Sequence, residues 1–405
     1  MSAVSPREYE SPGASEMPHR NTVCIAGTPI DRLSRAEAVN KIDSFVKSRR
    51  FHQVATANTD FLVNALSDPE LTHILRHSDM VTADGMPVVW AARLVGSYIP
   101  ERVTGADIVP DIASLAAKRG YRLFMLGAQE ATLHRAARRL ELVAPGIKIV
   151  GRLAPPMADL DSLDTPRILA AIRAARPDIL LVAFGNPKQE KWIYRNRAAL
   201  GNVPVCMGVG GTFDFLAGDV RRAPLWMQHC GLEWFHRLAL NPRRLWARYS
   251  RDFRQFSRAV REERLASARL ITPGTQLNLT LTDDDGFEGG VAIHIKAVGP
   301  LTAATMRDLN RVAMQAATDF PADSARRITI NLAGIGSADA EAAGSLLLLD
   351  ASLRDMGIDI VLSDTPGALM TLMRLPVDIN SPSLPHNAVQ STRLGSNRAG
   401  DPIRG

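Results

Sequence analysis

The chain has 405 residues, 46% of them hydrophobic, more than one ordinary core requires, so two folded units flanked by tails are expected. Its three cysteines, Cys24, Cys206 and Cys230, are far apart, and an odd, scattered set excludes a disulfide framework and a cysteine metal site. The net charge of +6 is local: residues 221–264 hold eleven arginines against Glu233, Asp252, Glu262 and Glu263, an excess that calls for an anionic membrane surface, a polyphosphate ligand or nucleic acid.

Residues 1–20 are rich in Ser, Pro and Glu and read as disordered. They lack a basic segment followed by an apolar one, and no apolar run reaches the roughly 18–20 residues of a spanning helix, so a cytoplasmic protein is expected. From Thr22 short apolar runs alternate with helical segments. Gln53–Thr56, Met80–Ala83, Tyr121–Leu126, Ile147–Val150, Ile179–Ala183 and Val203–Val209 read as strands. Leu71–Arg76, Thr132–Leu142 and Arg167–Arg176 read as helices between them, a pattern that predicts a mainly parallel sheet covered on both faces over residues 21–220.

After Gly218 the strands stop. Leu245, Trp246, Tyr249, Phe253, Phe256 and Val260 recur at helical steps, opposite Arg244, Arg248, Arg251, Arg254 and Arg258, so residues 221–270 read as a basic amphipathic appendage. Ile271–Gly274 reads as a linker. A smaller α/β unit is predicted over 275–384, with strands near Leu277–Leu281, Val291–Ala297, Ile328–Leu332 and Ile358–Leu362 and helices from Thr302 and over Ala340–Met356. The remaining tail, 385–405, reads as disordered.

Several clusters could carry chemistry. Phe184-Gly185-Asn186-Pro187-Lys188-Gln189-Glu190 follows a buried strand and opens a polar helix, a grammar that suits an anionic ligand at the carboxyl edge of a sheet. Thr56-Ala57-Asn58 and Thr82-Ala83-Asp84-Gly85 also end strands, and a carboxylate there can act as a general base on a hydroxyl, although an isolated Asp-Gly is more often only a turn. Gly208-Val209-Gly210-Gly211-Thr212-Phe213-Asp214 and Gly127-Ala128-Gln129 allow close backbone approach to phosphate but lack the dinucleotide spacing, which disfavours a nicotinamide-dependent oxidoreductase. His73 and His77, four apart, and Asp159-Leu160-Asp161 stand without a metallohydrolase context, so no metal and no cofactor are expected. Nucleic acid is disfavoured as well, because no binding motif for it is present.

Together these blocks resemble the WecG/TagA/CpsF family of glycosyltransferases. The likeness runs from about Val23 to Tyr249 and includes Arg102-Val103-Thr104-Gly105, Arg222-Ala223-Pro224, Gly231-Leu232-Glu233-Trp234 and Pro242-Arg243-Arg244-Leu245-Trp246. It implies a Rossmann-like domain that moves a sugar, with inversion and without an essential metal, from a UDP-sugar to a polyprenyl-diphosphate-linked acceptor, at the inner face of the cell membrane in exopolysaccharide, capsule or other surface-glycan synthesis. Asp84 would be the base, with Thr56 and Asn58 in its pocket. The nucleotide sugar would lie along Gly127, Gly185, Lys188, Gln189, Glu190, Gly210, Gly211 and Asp214. Arg237, Arg244 and Arg248 would hold the lipid diphosphate and approach the anionic membrane.

Residues 275–384 more weakly resemble a STAS domain. The family's Asp-Ser-x-Gly appears here as Glu341-Ala342-Ala343-Gly344, so the phosphorylatable serine is absent and the resemblance implies a constitutive docking or self-associating module. The alternative to an enzyme is a catalytically inactive transferase-like scaffold presenting that module. The sequence leaves the sugar open.

Overall fold

The structure is a computed structural model that describes residues 20–220, 222–224, 226–227, 232–240, 242–269, 276–284, 290–318 and 325–375. The expected disordered N-terminus before Arg20, the linker at 271–274 and the tail lie outside the described residues, as do Gly231 and Cys230.

Two short strands, β1 (Thr22–Ile25) and β2 (Thr28–Asp31), form an antiparallel hairpin that the sequence pattern did not separate. Helix α1 (Arg35–Ser48) begins at a Ser34/Glu37 capping box. A six-stranded, all-parallel sheet follows, built from β3 (His52–Ala57), β4 (Met80–Ala83), β5 (Arg122–Gly127), β6 (Lys148–Leu153), β7 (Ile179–Ala183) and β8 (Val205–Gly208) in the order β4-β3-β8-β7-β5-β6. The helices are α2 (Thr59–Ala65), α3 (Pro69–His77), α4 (Met86–Leu94), α5 (Gly105–Arg119), α6 (Glu130–Val143), α7 (Thr165–Ala175), α8 (Lys188–Arg195) and α9 (Thr212–Ala217).

Alternate residues of each strand feed separate cores, which is why these strands read as unbroken apolar runs. Leu123, Met125, Ile179, Leu181 and Met207 pack with α1, α5, α6 and Phe213 of α9. Phe124, Leu126, Leu180, Val182 and Cys206 pack on the other side with Ile168, Ile172, Trp192 and Ile193 of α7 and α8. Further along that side, Ala55, Ala57, Val81 and Ala83 meet residues of α2, α3 and α4. The chain therefore leaves β3 toward one face of the sheet and leaves β8 toward the other. Between two such neighbouring strands the loops diverge and open a crevice at the carboxyl edge.

The appendage comprises α10 (Glu233–Leu240) and the long α11 (Pro242–Arg269). The buried face of α11 overlaps the predicted stripe only at Phe256 and Val260. Asp252, Phe256, Ala259, Val260, Glu263 and Ala266 are buried, whereas Trp246 and Phe253 are 66% and 71% exposed. Those two lie about 100° around the helix from the centre of the buried residues. The physical reason is that the carboxylates Asp252 and Glu263, beside Phe256, complete the inner face.

The C-terminal unit is a mixed sheet in the order β12-β11-β10-β9, from β9 (Asn278–Asp284), β10 (Gly290–Leu301), β11 (Ala325–Ala338) and β12 (Asp359–Ser363). Strand β9 is antiparallel to β10, and the other pairings are parallel. Helices α12 (Met306–Thr318), α13 (Ala340–Asp355) and α14 (Gly367–Met373) share its apolar core.

That unit is packed onto the first. Strand β1 is buried throughout, with Val23 and Ile25 facing α2–α4 while Cys24 joins the C-terminal core. Helix α13 comes so close that a Cβ on Gly344 would lie 2.9 Å from Thr22 Oγ1 and 3.2 Å from the Cys24 nitrogen. Arg32 and Ser97 both engage Glu341, and Arg76 donates to the Met373 carbonyl at 2.7 Å. The start of α13 is thus packed against the hairpin of the same chain.

Candidate active site

The crevice begins where β3 and β4 end. Asn58 caps α2, its Oδ1 accepting from the Phe61 nitrogen at 3.0 Å, so its backbone leaves the strand at a fixed angle. Asp84 follows β4, with its nitrogen donating to the Ala57 carbonyl at 2.8 Å. Gly85 has φ +149°, which admits the turn into α4, and a Cβ there would lie 4.0 Å from Asn58 Cβ. Thr56 is buried, its hydroxyl 3.5 Å from the Gly208 carbonyl across the crevice floor.

The Gln189–Glu190 pair forms the opposite wall. Gln189 Oε1 accepts from the nitrogens of Gly185 at 3.2 Å and Gly210 at 3.0 Å, and its Nε2 donates to Glu190 Oε1 at 2.7 Å. Gln189 thereby ties the loop after β7 to the loop after β8. Glu190 is fully buried, and burial pushes its carboxyl up to about 7 although bonds from Gln189 and Asn186 oppose the shift. Only glycine fits at 208, because a Cβ would sit 2.3 Å from Glu190 Oε1 and 2.6 Å from Gln189 Nε2. Asn64 of α2 donates to Asn186 Oδ1 at 3.1 Å, joining the two walls.

Other residues named from sequence are placed differently. Lys188 bonds the Ala158 carbonyl and lies over the Phe184 ring, so its ammonium is turned toward the loop between β6 and α7. Gly127, with φ +105°, packs on the Ala183 carbonyl at the end of β5. Gly210 and Gly211 lead into α9, where burial and the nearby Asp219 raise the Asp214 carboxyl. Arg248 is exposed on α11, near enough to Asp60 of α2 to act on its carboxyl, which burial and Asp252 raise. Arg237 and Arg244 fall in α10 and α11, but their side chains lie outside the described residues. Among the described residues no three His, Cys, Asp or Glu side chains come together as a metal group.

Sequence reading gave no role to a charged cluster beside Asp84. Arg102 precedes α5, and its Nη1 donates to Glu233 Oε2 at 2.7 Å and its Nη2 to Asp107 Oδ2 at 3.2 Å. Arg222 Nη1 donates to Asp107 Oδ1 at 2.7 Å. Burial alone would raise Asp107, yet Arg222 and Arg102 hold it below the usual carboxylate range. The available signal was the Thr104-x-x-Asp107 capping pattern immediately after Arg102.

Helix α11 lies against α2 and α4, the helices that start beside Asn58 and Asp84. No helix among the described residues is long and apolar enough to cross a membrane.

Residues 23–270 match the model of the glycosyl transferase WecG/TagA/CpsF family. The chain is 34% identical over 195 residues to the N-acetylglucosaminyldiphosphoundecaprenol N-acetyl-beta-D-mannosaminyltransferase of Bacillus subtilis strain 168, covering 48% of this chain and 73% of that protein. Proteins of the same name are 31% identical in Bacillus spizizenii strain W23, over 53% of this chain and 81% of theirs, and 25% identical in Staphylococcus aureus strain NCTC 8325, over 55% and 86%. A parallel sheet with polar residues at its carboxyl edge, a basic helical appendage beside that edge and a match across both make this chain a member of the WecG/TagA/CpsF glycosyltransferase family.

Proposed function

We propose that the protein transfers a sugar from a UDP-sugar to the sugar of a polyprenyl-diphosphate acceptor, at the inner face of the cell membrane, in surface-polysaccharide synthesis. The observation that carries the reading is the meeting of Asp84 and Asn58, from the ends of adjacent strands, beside a crevice flanked by the arginine-bearing helix. Asp84 takes the proton of the acceptor hydroxyl as the oxygen attacks the anomeric carbon. The bond to the UDP oxygen breaks on the opposite face of the sugar, so the product is inverted and UDP leaves with the electron pair. Gln189 acts by fixing the two glycine loops that border the nucleotide. The relatives' names place an N-acetylmannosamine donor and an N-acetylglucosamine-diphosphate-lipid acceptor first among the substrates to try.

For the C-terminal unit, a STAS-like fold without its phosphorylatable serine accords with Ala342 at the start of α13. We infer that it serves the transferase of its own chain.

The test offers a panel of UDP-sugars and a short-chain prenyl-diphosphate-linked N-acetylglucosamine to the full chain, reading released UDP and the extended lipid by mass. An extended product from one donor is the expected result. Failure to bind any UDP-sugar would overturn the reading in favour of a scaffold.

A further inference from the structure

The guanidinium of Arg222 is only half used. Its Nη1 bonds Asp107, while Nε and Nη2 are shut from solvent and make no hydrogen bond. Those two N–H groups form one edge of the guanidinium plane, the edge that grips a carboxylate or phosphate through two parallel bonds. Leaving such an edge buried and without a partner is costly, and an anion admitted there would satisfy it. Glu233 Oε2 lies 3.9 Å from Arg222 Nη2, too far for a hydrogen bond, and the same oxygen is held at 2.7 Å by Arg102.

We propose that Arg102 and Arg222 form a diphosphate seat beside Asp84, that Glu233 holds the Arg102 half of it in the free protein, and that the ligand's arrival releases Glu233 and with it the first turn of α10. The ligand class rests on the function proposed above; the competition itself rests on the side chains. Asp107 is the fixed member, bonding both arginines and Thr104, and stays when the ligand binds. Glu233 is the movable one, because it opens the appendage helix rather than a helix of the sheet domain. A phosphate oxygen needs about the same 2.7–2.9 Å approach to Arg102 that Glu233 now makes, so the two anions exclude each other. Next to Glu233, Trp234 is 42% and Phe235 50% exposed, and Trp234 touches Tyr249 of α11. Release of Glu233 therefore reorients an aromatic surface together with the arginines, coupling occupation of the site to the posture of the appendage.

The experiment titrates inorganic pyrophosphate into the full chain by calorimetry and follows amide hydrogen exchange over residues 232–240. Glu233→Gln should tighten pyrophosphate binding by about fivefold or more, because a competing internal anion is removed. Arg222→Gln should weaken it about tenfold, and Arg222→Lys should weaken it too, since lysine lacks the two-pronged edge. Pyrophosphate should speed exchange over 232–240 in the unmodified chain and leave it unchanged in Glu233→Gln, where it is already fast. Thermal melts verify folding, and Glu233→Asp, too short to reach Arg102 in the same pose, should show an intermediate gain. Unchanged or weaker binding by folded Glu233→Gln, or slower exchange over 232–240 on ligand addition, would overturn the proposal. If these binding results appear while no UDP-sugar is turned over, the seat stands and the sugar-transfer reading falls.

Discussion

Arg374, at the end of α14, lies with its Nε 3.4 Å from Oε1 of Glu263, a carboxylate on α11 with no exposed surface. The other Glu263 oxygen accepts from the Ala26 nitrogen at 3.1 Å, and Arg374 also bonds Glu262 and the Ala259 carbonyl, each at 2.7 Å. One arginine thus joins the C-terminal unit, the N-terminal hairpin and the basic helix. Removing one partner of a buried pair strands the other. Arg374→Ala should cost about 3 kcal/mol of stability, read as a lowered denaturant midpoint. A loss within about 0.5 kcal/mol, the range of ordinary surface substitutions, would show that the contact is peripheral.

The same carboxylate gives a pH signature. Burial pushes Glu263 up to about 7 despite Arg374, and Glu190 likewise, from an ordinary 4.5. Each binds its proton more tightly folded than unfolded. Their contribution is therefore full below pH 4.5 and is lost as pH rises to about 7. Stability should fall over that window, by on the order of 3 kcal/mol for each group, and the melting temperature with it. Glu263→Gln and Glu190→Gln should each flatten the slope, and an unchanged slope in both would refute the assignment.

Asp84→Asn keeps the side chain's size and removes its basicity. Transfer should drop by about 10³-fold, within the range for a general base, with the melting curve unchanged. Rapid transfer by the variant would move the base elsewhere in the crevice.

Gly208 and Gly367 make a paired test of crowding. Gly208→Ala drives a methyl into Gln189 and Glu190, and should cost about 2–3 kcal/mol and most of the activity. Gly367→Ala meets nothing within 4 Å at the start of α14, and should be neutral or stabilising by up to about 1 kcal/mol. Equal effects at the two positions would show that the close approach at Gly208 is relieved at little cost.

Trp246 and Phe253 point away from the protein on a helix whose flanks carry arginines, the pattern of a surface that enters the headgroup region of anionic lipid. Trp246→Ser with Phe253→Ser should lower binding to phosphatidylglycerol vesicles by about tenfold or more, and Arg248→Glu should lower it further, all without loss of stability. Vesicle binding that survives all three changes would leave the aromatics as plain surface.

What the sequence made legible was local. The runs at Ile179–Ala183 and Met80–Ala83 are strands because both faces are buried, and the polar residues after them stand at one sheet edge. What stayed hidden depends on partners far along the chain. Trp246 and Phe253 could be read as one apolar stripe of an amphipathic helix, whereas Glu263 gave no sign in the sequence that it would be buried. Glu263 is buried because Ala26 and Arg374, separated from it by 237 and 111 positions, supply the partners its carboxylate needs. Arg102 and Arg222 stood in motif blocks of the sequence but had no role there until Asp107 and Glu233 were seen between them.

Cys24 belongs to the core of the C-terminal unit, its thiol 3.1 Å from the Leu372 carbonyl. Among the described residues, strand β1 therefore waits for α14 to be made before its surface is covered. Nascent chains halted in the linker would carry a bare hairpin and a loosely held arginine helix, and so be open to proteases and chaperones. Sugar transfer would then begin only in chains translated through α14, so that the order of synthesis itself screens out unfinished enzyme.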